Sequence, residues 1–146
     1  MEKQQLKSYF LKSAFETETL AAEFAKSIHA PCIIFLEGPL GAGKTTFLRG
    51  FLRALGFKDH VKSPTFTLIE TYELDACRVV HMDLYRLKNL AELEDIGFRD
   101  YFTQDAICVI EWAKNAENML PKPAVLCNIK IPENGHGRIF EIMEEI

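Results

Sequence analysis

A chain of 146 residues, 48% of them apolar, is long enough for one domain with its own core. Its net charge of −4, with both signs dispersed and no basic block, argues against strong nucleic-acid binding by this chain alone. No apolar run reaches membrane-spanning length and the polar opening Met1-Glu2-Lys3-Gln4-Gln5 lacks a signal-peptide core, so a cytoplasmic location is expected.

In chain order, Leu6 to Phe15 begins as an extended stretch, expected to be an edge strand. Thr17 reads as an N-cap for a helix from about Glu18 to His29, with Leu20, Ala21, Phe24, Ala25 and Ile28 on its apolar face. Pro31 ends it. Ile33-Ile34-Phe35-Leu36 is an uninterrupted apolar run that suits a buried strand. Gly38-Pro39-Leu40-Gly41-Ala42-Gly43-Lys44-Thr45 follows and fits G-x-x-x-x-G-K-[ST], the phosphate-binding P-loop. Lys44 to Leu55 then carries Phe47, Leu48, Phe51, Leu52 and Leu55 on one helical face, and Gly56 stops it. Glycines between a buried strand and a helix N-terminus let backbone N–H groups approach a polyphosphate, and the helix dipole favours the anion. Lys44 is then expected at the β/γ-phosphates and the Thr45 hydroxyl on Mg²⁺.

After a loop from Phe57 to Lys62, Ser63-Pro64-Thr65-Phe66 opens a strand that runs from Phe66 to Tyr72. Thr65 either starts that strand or reaches Mg²⁺ or the γ-phosphate, as switch loops do. Leu74-Asp75-Ala76 links to a strand over Arg78 to Asp83, too short a link for a crossover helix, so an antiparallel hairpin is expected. Asn89 to Ile96 reads as a short helix broken by Gly97, and Phe98, Tyr101 and Phe102 as a further helical turn. Ile107-Cys108-Val109-Ile110 is a second fully apolar run, ending at Glu111-Trp112. Ala113 to Leu120 suits a helix before Pro121 and Pro123. Ala124 to Ile131 and Arg138 to Ile142 read as a closing hairpin around Asn134-Gly135-His136-Gly137. The pattern predicts an α/β, three-layer P-loop NTPase fold with a mixed, partly antiparallel sheet, residues 1–146 forming one domain. Cys32, Cys77, Cys108 and Cys127 are far apart and form no C-x-x-C, so free thiols in a reducing cytosol are expected, rather than a zinc site.

A P-loop needs a carboxylate at the end of a neighbouring strand, for Mg²⁺ or for water. Glu111 closes the more uniformly apolar run and is by pattern the better Walker-B-like carboxylate, Asp83 closes the other, and each is otherwise a solvated carboxylate at a strand end; the pattern does not divide the metal and water roles between them. Trp112, the only tryptophan, covers the nucleotide or a partner, or packs as core. Arg86 and Arg138 are either phosphate contacts or solvated. His81 and His136 show no partner pattern and are expected to serve no chemistry. The run from Glu141 to Glu145 reads as a solvated end rather than a binding tail, and Glu92, Glu94 and Asp95 as a helix surface or a partner contact. No N-K-x-D, no D-x-x-G at switch distance and no S-G-G-Q occurs, which disfavours a guanine-reading GTPase and an ABC-type ATPase. Arg86 and Arg99 alone make a poor kinase lid.

Taken together, the P-loop, Ser63-Pro64-Thr65-Phe66-Thr67-Leu68, His81-Met82-Asp83-Leu84-Tyr85-Arg86-Leu87, Glu94-Asp95-Ile96-Gly97 and Ile110-Glu111-Trp112 closely resemble the bacterial TsaE (YjeE) family. The resemblance implies a small ATPase needed for threonylcarbamoyl (t6A) modification of the adenosine beside the anticodon in tRNA. Such a protein binds the TsaB–TsaD pair, meets tRNA only through that complex, and resets it by hydrolysing ATP. It also implies that residues Gly38 to Thr46, including Leu40, Gly41, Ala42, Gly43 and Thr46, hold the phosphates, with Thr45 and Glu111 on Mg²⁺. Asp83 would serve hydrolysis, Trp112 would lie close to the nucleotide, and Arg138 matches a family Gly-Arg pair. Pro39 departs from the family, where an acidic residue is frequent. Two other readings remain beside it: a nucleotide-gated binding module and a small-molecule kinase.

Overall fold

The computed structural model describes residues 4–62, 68–116 and 118–145. Seven strands form one sheet: β1 (Gln4–Leu11), β2 (Cys32–Glu37), β3 (Ile69–Glu73), β4 (Arg78–Asp83), β5 (Ala106–Glu111), β6 (Val125–Lys130) and β7 (Arg138–Glu145). Their order across the sheet is β1-β7-β6-β2-β5-β4-β3. The pairs β2–β5, β2–β6 and β4–β5 are parallel; β3–β4, β6–β7 and β1–β7 are antiparallel. Helices α1 (Ala14–Ala25) and α2 (Lys44–Ala54) cover one face; α3 (Ala91–Asp95) and two short 3-10 turns cover part of the other. This is the mixed, three-layer architecture predicted from the sequence, with both hairpins in place.

Burial explains the strand patterns. All six residues of β5 are buried, because helices or turns lie on both of its faces. On one side, Ile107 and Val109 join Ile34, Leu36 and Val79 beneath α1 and α2. On the other, Cys108 and Ile110 join Val80 and Met82 against Leu93, Phe98 and Ala113. Phe47 of α2 stacks on Phe140 of β7 at 4.7 Å and meets Phe24 of α1 at 5.8 Å, so aromatic contact ties both helices to the last strand.

Several boundaries differ from the sequence reading. α1 starts one turn earlier than expected, because Ser13 and not Thr17 is its cap. Ser13 Oγ accepts from the Glu16 amide at 3.2 Å, and the Glu16 carboxylate accepts from the Lys12 amide at 3.2 Å. The Ser13 cap is worth about 1 kcal/mol, and the Glu16 carboxylate holds the amide just before it. Thr17 is buried inside the helix and donates back to the Ser13 carbonyl. β3 begins at Ile69; the expected start at Phe66, and the Thr65 switch position, lie outside the described residues. The helix expected over Ala113 to Leu120 is a single 3-10 turn, Ala113–Ala116. The acidic stretch at the C-terminal end is part of β7, where Ile142 is buried and Glu141 pairs with Lys130 at 2.8 Å. Glu92 caps α3 by accepting from the Lys88 and Asn89 amides, and Glu94 pairs with Arg99, so this acidic cluster is a helix surface, as expected. Cys108 and Cys127 are buried, Cys32 and Cys77 half-buried, and all four are free; burial pushes the Cys108 thiol up to about 12. No described helix is long and apolar enough to cross a membrane.

Candidate active site

The site is assembled at the C-terminal ends of three parallel strands. β2 delivers the P-loop, β5 ends at Glu111 and β4 ends at Asp83; in register, Glu111 lies opposite both Leu36 and Asp83. Side chains alternate along a strand, so Asp83 and Glu111 project to the same face as Val79 and Val109, the face that carries α2. That is also where α2 begins. Its N-cap, Gly43, has φ +107 and contributes no side-chain hydrogen bond to the helix. Only glycine holds that conformation without strain, and the amides of the first turn stay open to an anion.

Leu40, Gly41, Gly43, Lys44, Thr45, Thr46, Asp83, Glu111 and Trp112 line one cleft of about 400 Å³. Gly38 lies beneath it: Lys44 Nζ donates to the Gly38 carbonyl at 2.7 Å. The same ammonium is 3.4 Å from Glu111 Oε1 and 4.7 Å from the Trp112 ring. Glu111 Oε2 contacts His81 Nε2. Lys44, Glu111 and His81 are all buried. Trp112 is half-buried, lines the cleft, and stacks obliquely on exposed Tyr85 at 5.0 Å. Its backbone is left-handed, φ +57, a strained state for a bulky residue.

The two carboxylates differ electrostatically. Burial pushes Glu111 up, but the bond from His81 and the nearby Lys44 outweigh it and hold Glu111 below the ordinary glutamate range. Asp83 is pushed up, by burial first and then by the charge of Glu111, against the Tyr85 amide that donates to its Oδ1 at 3.1 Å. The sign of the consequence follows. A carboxyl raised in the fold favours folding while protonated, and that contribution is lost as pH rises from the ordinary Asp range to the raised value. At neutral pH, ionised Asp83 therefore destabilises the divalent-free protein. Asp83→Asn, which keeps the Oδ1 acceptor, is expected to raise the thermal midpoint at pH 7 in EDTA, with the gain vanishing near pH 3, about where Asp protonates unaided. An unchanged or lower midpoint at pH 7 would refute this.

A second cleft, about 290 Å³, opens on the other side of the P-loop and shares Gly41, Gly43 and Thr46 with the first. It runs between Ser13 and Thr17 at the start of α1, Ala42, and Gly137-Arg138 at the start of β7. Arg138, read from the sequence as either a phosphate contact or a solvated arginine, lies in this second cleft with its guanidinium facing the loop backbone. It donates to the carbonyls of Ala42 and Gly41, both at 3.2 Å. Arg86 is exposed and lines neither cleft, and His136 sits in the exposed β6–β7 turn. His81 is the residue that spacing did not reveal; alternation places it on the same face as Asp83, two residues away, which was the only signal available.

Comparison with known proteins gives one family. The family described as "Threonylcarbamoyl adenosine biosynthesis protein TsaE" matches residues 11–140. The tRNA threonylcarbamoyladenosine biosynthesis protein TsaE of Haemophilus influenzae is 46% identical over 110 residues, 74% of this chain and 70% of that protein. The protein of the same name from Bacillus subtilis is 41% identical over 115 residues, 79% of this chain and 72% of that protein. The crystal structure of Bacillus subtilis YdiB superposes with a TM-score of 0.78 at 31% identity, covering 99% of this chain and 87% of that one.

Proposed function

The chain belongs to the TsaE family of t6A biosynthesis, and we propose that it is a Mg²⁺-dependent ATPase that binds the TsaB–TsaD complex and hydrolyses ATP to reset it between rounds of tRNA modification. The observation that carries this reading is the convergence of Lys44, Thr45, Asp83 and Glu111 on one cleft over a P-loop. The phosphates lie in that cleft, over the amides of Gly41 to Thr46. The sugar and base continue past the shared glycines into the second cleft, where Ser13, Thr17 and the Gly137-Arg138 segment offer polar groups. Residues 1–146 act as one P-loop ATPase domain in the cytoplasm, and tRNA is met only through the complex.

The residues fit a divalent cation. Asp83 is raised by burial and by Glu111's charge, a repulsion that a cation bound nearby would relieve. Among the described residues no three His, Cys, Asp or Glu side chains form a cage. That suits Mg²⁺, which takes one or two protein ligands and completes its shell with phosphate oxygens and water. Thr45 and Glu111 would hold it, and when bound it neutralises charge on the β/γ-phosphates. Lys44 moves its ammonium from the Gly38 carbonyl to the phosphates. Asp83, with its Oδ1 fixed by the Tyr85 amide, orients the attacking water, alone or with Glu111. Among the described residues no arginine lines the phosphate cleft, so activity alone is low and the partner complex raises it.

ATP hydrolysis is to be measured for the chain alone and with TsaB–TsaD, with Lys44→Ala as control. Slow turnover alone, raised roughly tenfold or more by the pair and abolished by Lys44→Ala, is the expected result. Rapid turnover alone with no response to the pair overturns the coupling, and consumption of ATP only with a small metabolite identifies a kinase.

A further inference from the structure

His81 lies in β4 with its side chain 2% exposed, on the face that carries α2. Its Nδ1 is buried and has no hydrogen-bond partner among the described residues. Its Nε2 contacts Glu111 Oε2. A leucine or valine would fill this place in the sheet without stranding a polar nitrogen. The imidazole is therefore explained by its one bond and not by packing. An ionised carboxylate only accepts, so Nε2 carries the hydrogen and donates it.

The two oxygens of Glu111 have separate partners, His81 on Oε2 and Lys44 on Oε1 at 3.4 Å. These partners differ in permanence. Lys44 sits on a long flexible stem and is drawn to phosphate when nucleotide binds. His81 rises from an interior strand packed between β3 and β5, and its side chain is buried. The geometry points to His81 as a positioning residue: it fixes the Glu111 carboxylate, so that the oxygen Lys44 gives up faces the cation and phosphates. This inference rests on the reading of the cleft as an Mg²⁺–nucleotide site. Outer partners of a ligating carboxylate of this kind matter by about 10–100-fold in metal affinity or activity.

The test is a double-variant cycle with His81→Leu, Glu111→Gln and both together, with His81→Gln as rescue. Nucleotide binding is read from Trp112, the only tryptophan, with ADP and with ATP, in Mg²⁺ and in EDTA. The gain in affinity on adding Mg²⁺ is expected to fall about 10–100-fold in His81→Leu, while affinity in EDTA stays within about twofold. His81→Gln, whose amide returns a donor near the Nε2 position, restores the gain to within roughly fivefold of wild type. In the Glu111→Gln background His81→Leu changes it by less than about twofold, because the two act as one unit. If His81→Leu fails to fold, His81→Asn, whose shorter amide stops short of Glu111, takes its place in the cycle. An unchanged gain, a wild type with no gain, or effects that multiply in the double variant overturn the inference. A cycle that closes while wild type with TsaB–TsaD hydrolyses no ATP sustains the inference and sinks the ATPase. Normal hydrolysis with a gain indifferent to His81 does the reverse.

Discussion

Glu111→Gln is expected to lower partner-stimulated ATP hydrolysis by about 10²–10³-fold while leaving nucleotide affinity in EDTA, read from Trp112, within about threefold. The substitution keeps shape and one oxygen acceptor at the end of β5 but removes the charge. Ground-state binding rests mainly on the amides of Gly41 to Thr46 and on Lys44, none of which comes from Glu111. Lys44 also keeps its 2.7 Å bond to the Gly38 carbonyl, so it is not left buried without a partner. The loss therefore falls on the step that needs a negative group beside the phosphates. The same variant separates energy coupling from gating. If it binds nucleotide, fails to hydrolyse it, and still supports repeated rounds of tRNA modification with TsaB–TsaD, nucleotide binding alone sets partner affinity and hydrolysis is incidental. If modification stops after one round, hydrolysis is the reset.

Gly50→Leu is expected to destabilise the fold by about 3 kcal/mol, seen as a lower urea midpoint at unchanged slope. Gly50 lies mid-way along α2, where α1 crosses closely. A Cβ there meets the Glu18 carbonyl oxygen at 2.6 Å and the Glu18 Cα at 2.7 Å. Both are backbone atoms, so no rotamer change makes room and the helices must part. Parting breaks the Arg49–Glu18 bond at 3.3 Å and loosens Phe24 from Phe47 and Phe51. Gly50→Ala meets the same obstruction but gains about 1 kcal/mol of helix propensity, so its cost is smaller. An unchanged midpoint in both variants would show that the crossing is looser than drawn. The strain also reaches the site, since α2 carries Lys44 and Thr45 at its first turn.

Most of the P-loop side of the sheet could be read from the chain because its signals are local. A four-residue apolar run before a glycine-rich loop marks β2, and two strands with a three-residue link can only turn back on each other. Glu111 and Asp83 were visible because each ends a strand. What escaped depends on distant contacts or on choices between similar residues. β1 pairs with β7 across nearly the whole chain, and no periodicity within Gln4–Leu11 announces that partner. Ser13 and Thr17 are both plausible caps; the Glu16 carboxylate, free to fold back on the Lys12 amide, decides between them. The helix over Ala113 to Leu120 reduces to one turn because Pro121 and Pro123 follow closely and Trp112 enters it left-handed. His81 looked idle because its partner is thirty positions away on the neighbouring strand.

The bonds from Arg138 to the Gly41 and Ala42 carbonyls have a consequence for biogenesis. β2, which bears the P-loop, is flanked by β5 and β6, both synthesised after it, and the arginine that braces the loop arrives later still, at the start of β7. A ribosome exposes Gly38 to Thr45 long before any of these supports exists. The non-local order of the sheet makes its closure a late event in folding. The P-loop is thus fully braced only once β7 has formed, which makes the order of the loop a property of the finished sheet and not of the loop's own sequence.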